Sequence, residues 1–124
     1  MKRILVVDDD IDILTVVQLV LETNGFEVAA ISNWQQIYPQ IDAFAPDLVL
    51  LDVSLGTQDG RNICKQLKSL PNTRHIPILI FSAYPSIAER VIYEYGADDF
   101  IAKPFEVNDL VTKVHSVLSQ PAIS

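Results

Sequence analysis

Ile4-Leu5-Val6-Val7-Asp8-Asp9-Asp10 passes without a break from four apolar residues into three carboxylates. An apolar run this continuous is what a parallel strand covered on both faces requires. The pattern recurs along the chain. Leu48-Val49-Leu50-Leu51 ends at Asp52, Ile78-Leu79-Ile80-Phe81 at Ser82, and Phe100-Ile101-Ala102 at Lys103-Pro104. In an open parallel sheet the carboxyl ends of the strands share one edge, and ligands bind in the crevice there. Acids, a hydroxyl and a lysine that are remote in sequence are therefore expected to converge. Such a constellation suits phosphoryl chemistry around a divalent metal.

Helical stretches separate these strands at fairly even spacing, which predicts an α/β fold with right-handed crossovers. Strands are predicted at Arg3–Val7, Glu27–Ile31, Leu48–Asp52, Ile76–Phe81 and Asp99–Ala102. A first helix is predicted over Asp12–Asn24, with Leu14, Val17 and Leu21 on one face and Gly25 closing it. A second falls near Trp34–Phe44, where Pro39 should shorten or kink it. A third follows a loop through Gly56 and Gly60 and runs to Ser69; a fourth spans Pro85–Tyr95, closed by Gly96; a fifth spans Glu106–Leu118. Residues 1–119 read as one domain and residues 120–124 as a short tail.

Composition agrees with one compact domain. The chain has 124 residues, 49% of them hydrophobic, and a domain of this size buries roughly two thirds of its unfolded surface. No apolar run approaches the roughly 20 residues of a membrane span, and no signal-peptide pattern opens the chain, so a cytoplasmic location is expected. Cys64 is the only cysteine, which fits a reducing compartment. The formal net charge of −7 argues against direct binding of nucleic acid, whose phosphates are met by clustered Lys and Arg. No membrane partner is expected either.

Asp8, Asp9 and Asp52, brought together, would repel one another unless some protonate or a cation binds. Oxygen donors with room for water suit Mg²⁺ better than Ca²⁺. Helix capping alone would account for one Asp of the run, and one is expected to cap. It does not account for three in a row facing a remote fourth. A carboxylate such as Asp52 can act as a nucleophile and form an aspartyl phosphate. The transferring phosphoryl group then needs cations on its oxygens. Lys103 can supply one and Mg²⁺ the other, while the Ser82 hydroxyl can donate a hydrogen bond. Read singly, Ser82 is a turn residue and Lys103 a surface lysine; their shared position at strand ends is what gives them a role.

These residues resemble the receiver domain of two-component response regulators, over essentially the whole chain. The resemblance rests on Val6-Val7-Asp8-Asp9-Asp10, on Asp47-Leu48-Val49-Leu50-Leu51-Asp52 with Asp59-Gly60 after it, and on Phe81-Ser82-Ala83. Gly96-Ala97-Asp98-Asp99-Phe100-Ile101-Ala102-Lys103-Pro104-Phe105 is its most specific piece. It implies a flavodoxin-like, doubly wound sheet of five parallel strands in the order 2-1-3-4-5, with five helices. It implies Asp52 as phosphoacceptor, Asp8, Asp9 and Asp52 with the Ser54 carbonyl at Mg²⁺, Ser82 as the switch hydroxyl and Lys103 as the phosphate-binding lysine. It also implies a cis Lys103–Pro104 bond, and Phe100 as the switch aromatic. The implied partners are a histidine kinase or histidine phosphotransfer protein, and a downstream protein target on the face made by the fourth helix, fifth strand and fifth helix. The sequence departs from the family at Gly56, where many members carry proline, at Pro39, and in a Ser82–Lys103 stretch about one residue short.

Other candidates are weaker. His75 and His115 have no metal-ligand spacing with each other or with Cys64, and Gly25, Gly56, Gly60 and Gly96 make neither GxGxxG nor a P-loop. Two alternatives to a phosphorylation-controlled interaction module are a Mg²⁺-dependent phosphotransferase or phosphatase and the receiver fragment of a longer transcription regulator. The first would need a cap over the strand ends, and the loops here are short. Finally, Ile11, Thr15, Gln18 and Glu22 form an outward helical stripe expected to meet the phosphodonor, unless Ile11 folds back onto the loop after Asp52, and Tyr84 is expected either to overhang the phosphoryl site or to pack at the start of the fourth helix.

Overall fold

The computed structural model describes residues 1–120; the predicted tail, apart from Gln120, lies outside the described residues. In chain order the elements are β1 (Arg3–Val7), α1 (Ile11–Thr23), β2 (Glu27–Ile31), α2 (Ile37–Phe44), β3 (Leu48–Asp52), β4 (Ser54–Leu55) and β5 (Gln58–Asp59). There follow α3 (Gly60–Ser69), β6 (Ile78–Ser82), α4 (Ala88–Tyr93), β7 (Asp99–Ala102) and α5 (Val107–Leu118). Five strands form one sheet in the order β2-β1-β3-β6-β7, every pairing parallel. This is the expected five-stranded order, with β6 and β7 as the fourth and fifth strands. The chain leaves β1 toward β2 on one side and returns to β3 on the other. The strand order thus reverses between β1 and β3, where the crevice of a doubly wound sheet opens.

The apolar runs explain the layering. Every residue of β3 and β6 is buried, as are Ile4–Val7 of β1. Alternate side chains face opposite ways. Leu5, Val7, Val49, Leu51, Ile78 and Ile80 pack in one cluster with Ile37 and Ile41 of α2, Ile63 and Leu67 of α3 and Val91 of α4. Ile4, Val6, Leu48, Leu50, Leu79 and Phe81 pack in the other with Leu14, Val17 and Leu21 of α1 and Leu110, Val114 and Val117 of α5. Two helices therefore cover one face and three the other. Truncating a central residue such as Leu50, fully buried, to alanine should cost about 2–5 kcal/mol.

Three expectations need correction and one is refined. β6 begins at Ile78, not Ile76, because Pro77 has no N–H to give the ladder and the Ile76 N–H closes a turn onto the Thr73 carbonyl. The fourth helix is shorter than predicted: Pro85–Ile87 form a 3₁₀ turn, α4 proper ends at Tyr93, and the Glu94 and Tyr95 N–H groups both turn onto the Arg90 carbonyl. The second α-helix begins at Ile37, not Trp34, so it is shortened, the first of the two effects expected of Pro39. A 3₁₀ turn over Trp34–Gln36 precedes the helix, which places Pro39 in the first α-helical turn, where an N–H has no intrahelical partner. The segment after Asp52, expected as a loop, folds back as the two-residue hairpin β4–β5 around Gly56-Thr57, with Gly56 at φ +69°. Leu55, 3% exposed, anchors that hairpin in the core.

Candidate functional site at the strand ends

Asp8 follows β1, and Asp52 is the last residue of β3. These strands are neighbours in register, Val7 beside Leu51. Both acids are sequestered: Asp8 is fully buried and Asp52 is 4% exposed, whereas Asp9 is exposed at the rim. One carboxylate oxygen from each of Asp8, Asp9 and Asp52 lies within 4.8 Å of the others. Asp10 takes the capping role, accepting from the Asp12 and Ile13 N–H groups at the start of α1. Its own N–H donates to Asp8 Oδ1 at 2.9 Å, which fixes that carboxylate.

Lys103 reaches the same point from the end of β7. Its Nζ lies 2.8 Å from Asp8 Oδ2 and 3.2 Å from Asp52 Oδ1, and the Lys103–Pro104 bond is cis. The Lys103 N–H donates to the Ser82 carbonyl at 2.8 Å, tying the ends of β6 and β7 together. Ser82 is 2% exposed, and its Oγ accepts the Tyr84 N–H at 3.1 Å. Burial foremost, and then the Asp8 charge, push the Asp52 carboxyl up to about 6, against the opposing pull of Lys103. A single ammonium therefore does not balance the acids, and the cluster could hold a further cation. Its donors are all oxygen, which fits a hard divalent ion.

The hairpin after Asp52 brings in a backbone group. The Gly60 N–H bonds the Val53 carbonyl at 2.7 Å. Hydrogen-bonded and non-bonded pairs alternate along an antiparallel ladder, so the neighbouring pair, Ser54 and Asp59, is the non-bonded one. The Ser54 carbonyl is thereby left free by the ladder, while its side chain is exposed. Asp59 caps α3 through the Arg61 N–H and grips the Arg61 guanidinium at 2.7 Å, and that bond holds its carboxyl below the usual range.

The sequence model for the response regulator receiver domain matches residues 4–115. The chain belongs to that family. It is 36% identical over 124 residues to the alkaline phosphatase synthesis transcriptional regulatory protein PhoP of Bacillus subtilis, covering 99% of this chain and 51% of PhoP. The chain spans about half the length of the curated relatives it matches. Among solved structures, the receiver domain of NtrX from Brucella abortus is 31% identical with a TM-score of 0.86, covering 95% of this chain and 99% of that one. A CheY-like receiver domain protein from Methanospirillum hungatei is 29% identical with a TM-score of 0.85, covering 95% and 94%.

This receiver places Asp8, Asp9, Asp52, Ser82 and Lys103 together at the carboxyl edge, as the sequence predicts. Phe100 is elsewhere: it sits inside the sheet's α2–α3–α4 face, 6% exposed, in the cluster that holds Val91 and Ala97. Tyr84 is 65% exposed and Ile11 59%, so Ile11 does not fold back onto the loop after Asp52. His75 and His115 are exposed, and burial pushes the Cys64 thiol up to about 12, which leaves it a poor nucleophile.

Three features have no counterpart among the expectations from sequence. A Cβ at Gly60 would lie 1.9 Å from the Asp52 carbonyl oxygen, so the return of the chain past the end of β3 requires glycine there. Val16 and Leu19 of α1 are 52% and 66% exposed, and a cavity of about 430 Å³ beside them is lined by Ile13, Val16, Ala83, Lys103, Pro104 and Phe105. The signal for this patch is that α1 carries more apolar residues than one buried face can use. The third feature is the ring of Phe81, which lies under the Lys103 ammonium.

Proposed function

We propose that Asp52 accepts a phosphoryl group from a histidine of a kinase or phosphotransfer protein, and that the modified chain binds its partners differently. The observation that carries this reading is the placement of the Lys103 ammonium between Asp8 and Asp52, at 2.8 and 3.2 Å, at the point where the strand order reverses. The ionised Asp52 Oδ attacks phosphorus, the P–N bond of the donor breaks, and its electron pair returns to the imidazole nitrogen. Lys103, beside Asp52, can pair with the charge that moves outward onto the phosphoryl oxygens. The Ser82 hydroxyl, now accepting from Tyr84, can turn its own proton to a phosphoryl oxygen. Mg²⁺ held by Asp8, Asp9, Asp52 and the Ser54 carbonyl would neutralise the remaining charge on the transferring group.

On this reading the chain is a switch, not a turnover enzyme: its chemistry is its own phosphorylation and dephosphorylation. The donor's helix is expected on α1, where the exposed Val16 and Leu19 and the adjoining cavity offer apolar surface next to the pocket. That patch lies to one side of the Ile11–Thr15–Gln18–Glu22 stripe. The output face is assigned to α4, β7 and α5, where a cavity of about 480 Å³ reaches Phe100. No helix among the described residues is long and apolar enough to cross a membrane, and a cytoplasmic setting is part of this proposal. A second reading, a receiver within a longer transcription regulator, is favoured by the 51% coverage of PhoP.

The test is incubation with phosphoramidate or acetyl phosphate and Mg²⁺, followed by intact mass. Wild type should gain one phosphoryl group and Asp52→Asn none. Full labelling of Asp52→Asn would overturn the assignment.

A further inference from the structure

Lysine is a long, flexible side chain, and two charged contacts leave its head free to move around the carboxylates. Lys103 has a third contact. Its Nζ stands over the ring of Phe81, 4.5 Å from the centroid. Phe81 is fully buried, directly beside Asp52 in the β3–β6 register, and Phe105 meets it edge to face at 6.4 Å. The Lys103 side chain is 16% exposed. A ring face attracts a cation through its quadrupole, and more strongly where both are withdrawn from water.

We infer that Phe81 is a positioning residue for phosphoryl transfer, its ring face holding the Lys103 ammonium at the height of Asp52. This rests on Asp52 being the phosphoacceptor. Transfer changes what the two carboxylates offer the lysine, because the Asp52 Oδ becomes an acyl oxygen and its charge moves outward onto the phosphoryl group. The ring offers the same attraction before and after. It is neutral, so it keeps the ammonium in place without competing for it as a third carboxylate would. Leucine would fill much of the space but would not attract the cation. The adjoining Phe105 edge contact limits how far the Phe81 ring can tilt away.

The test keeps the shape of the ring and weakens its quadrupole in steps. Phenylalanine at position 81 is replaced by its mono-, di- and trifluoro analogues in the full chain, and labelling by phosphoramidate with Mg²⁺ is timed. The logarithm of the rate should fall stepwise, roughly tenfold by the trifluoro ring, and Phe81→Leu should fall at least as far. In a Lys103→Gln background the residual rate should be the same for every ring. A flat series in wild type, a wild-type rate in Phe81→Leu, or an equal slope without Lys103 would each overturn the inference. Failure of unsubstituted protein to label at Asp52 would instead overturn the phosphoacceptor reading on which it depends.

Discussion

Asp52→Asn should make the metal-free protein more stable at neutral pH, although it abolishes the proposed chemistry. In the folded chain the Asp52 carboxyl is raised from 3.8 to about 6, by burial first and by Asp8 second. A group raised in the folded state contributes stability that is fully present below its unfolded value and is lost as pH rises through its folded value. Each tenfold change in proton affinity between the two states is worth about 1.4 kcal/mol, so ionised Asp52 costs about 3 kcal/mol at pH 7. Asparagine keeps the shape, keeps an oxygen for Lys103 and never ionises. The gain should approach about 3 kcal/mol at pH 7, which for a domain of this size is a rise in melting temperature of about 10 °C. At pH 4 the difference should shrink to about 0.5 kcal/mol. Melting curves in EDTA from pH 4 to pH 8 test this. An Asn variant less stable than wild type at pH 7, or a difference that does not change with pH, would refute the claim that Lys103 leaves the acids underbalanced.

Adding Mg²⁺ should largely close that gap: at about a hundred times its dissociation constant a bound ion stabilises by about 2.7 kcal/mol, so wild type should melt higher with Mg²⁺ than without it, and Asp9→Ala should lose the response. Gly60→Ala should destabilise by more than about 3 kcal/mol in a denaturant titration, since its methyl would meet the Asp52 carbonyl. Tyr84→Gly should lose its phosphoryl group severalfold faster than wild type in a timed decay measurement, the expectation being that a bulky ring two residues beyond Ser82 hinders the attacking water; equal decay rates would assign Tyr84 no part in the site. Val16→Asp should slow transfer from a cognate phosphodonor protein while leaving acetyl phosphate labelling unchanged.

The sheet and its reactive edge are legible in the sequence because burial on both faces forces strands such as Leu48–Leu51 into unbroken apolar runs, and each such run ends in a chemically distinct residue. Element bounds agree where a period and a stop signal coincide, as at Glu27–Ile31 and Leu48–Asp52. They slip where local hydrogen bonds decide, at Ile76-Pro77 and at Glu94-Tyr95. The β4–β5 hairpin is hidden because four paired residues leave no periodicity, although Gly56 marks its turn. The need for Gly60 depends on a carbonyl eight residues earlier, and the seating of Lys103 over Phe81 on a ring in another strand. Neither contact has a signature in local sequence. Val16 and Leu19 do have one, in the apolar excess of α1, but the polar stripe through Ile11 masks it.

Chemical trapping of the phosphorylated residue tests the central claim most directly. Protein labelled with phosphoramidate and Mg²⁺ is reduced with borohydride, which converts an acyl phosphate of aspartate to homoserine, and is then digested and mapped by mass. Homoserine is expected at position 52, with unmodified aspartate at positions 8 and 9. Reduction at either of those positions, or a phosphoryl group that survives borohydride on a hydroxyl or an imidazole, would contradict the assignment of Asp52 as the acceptor.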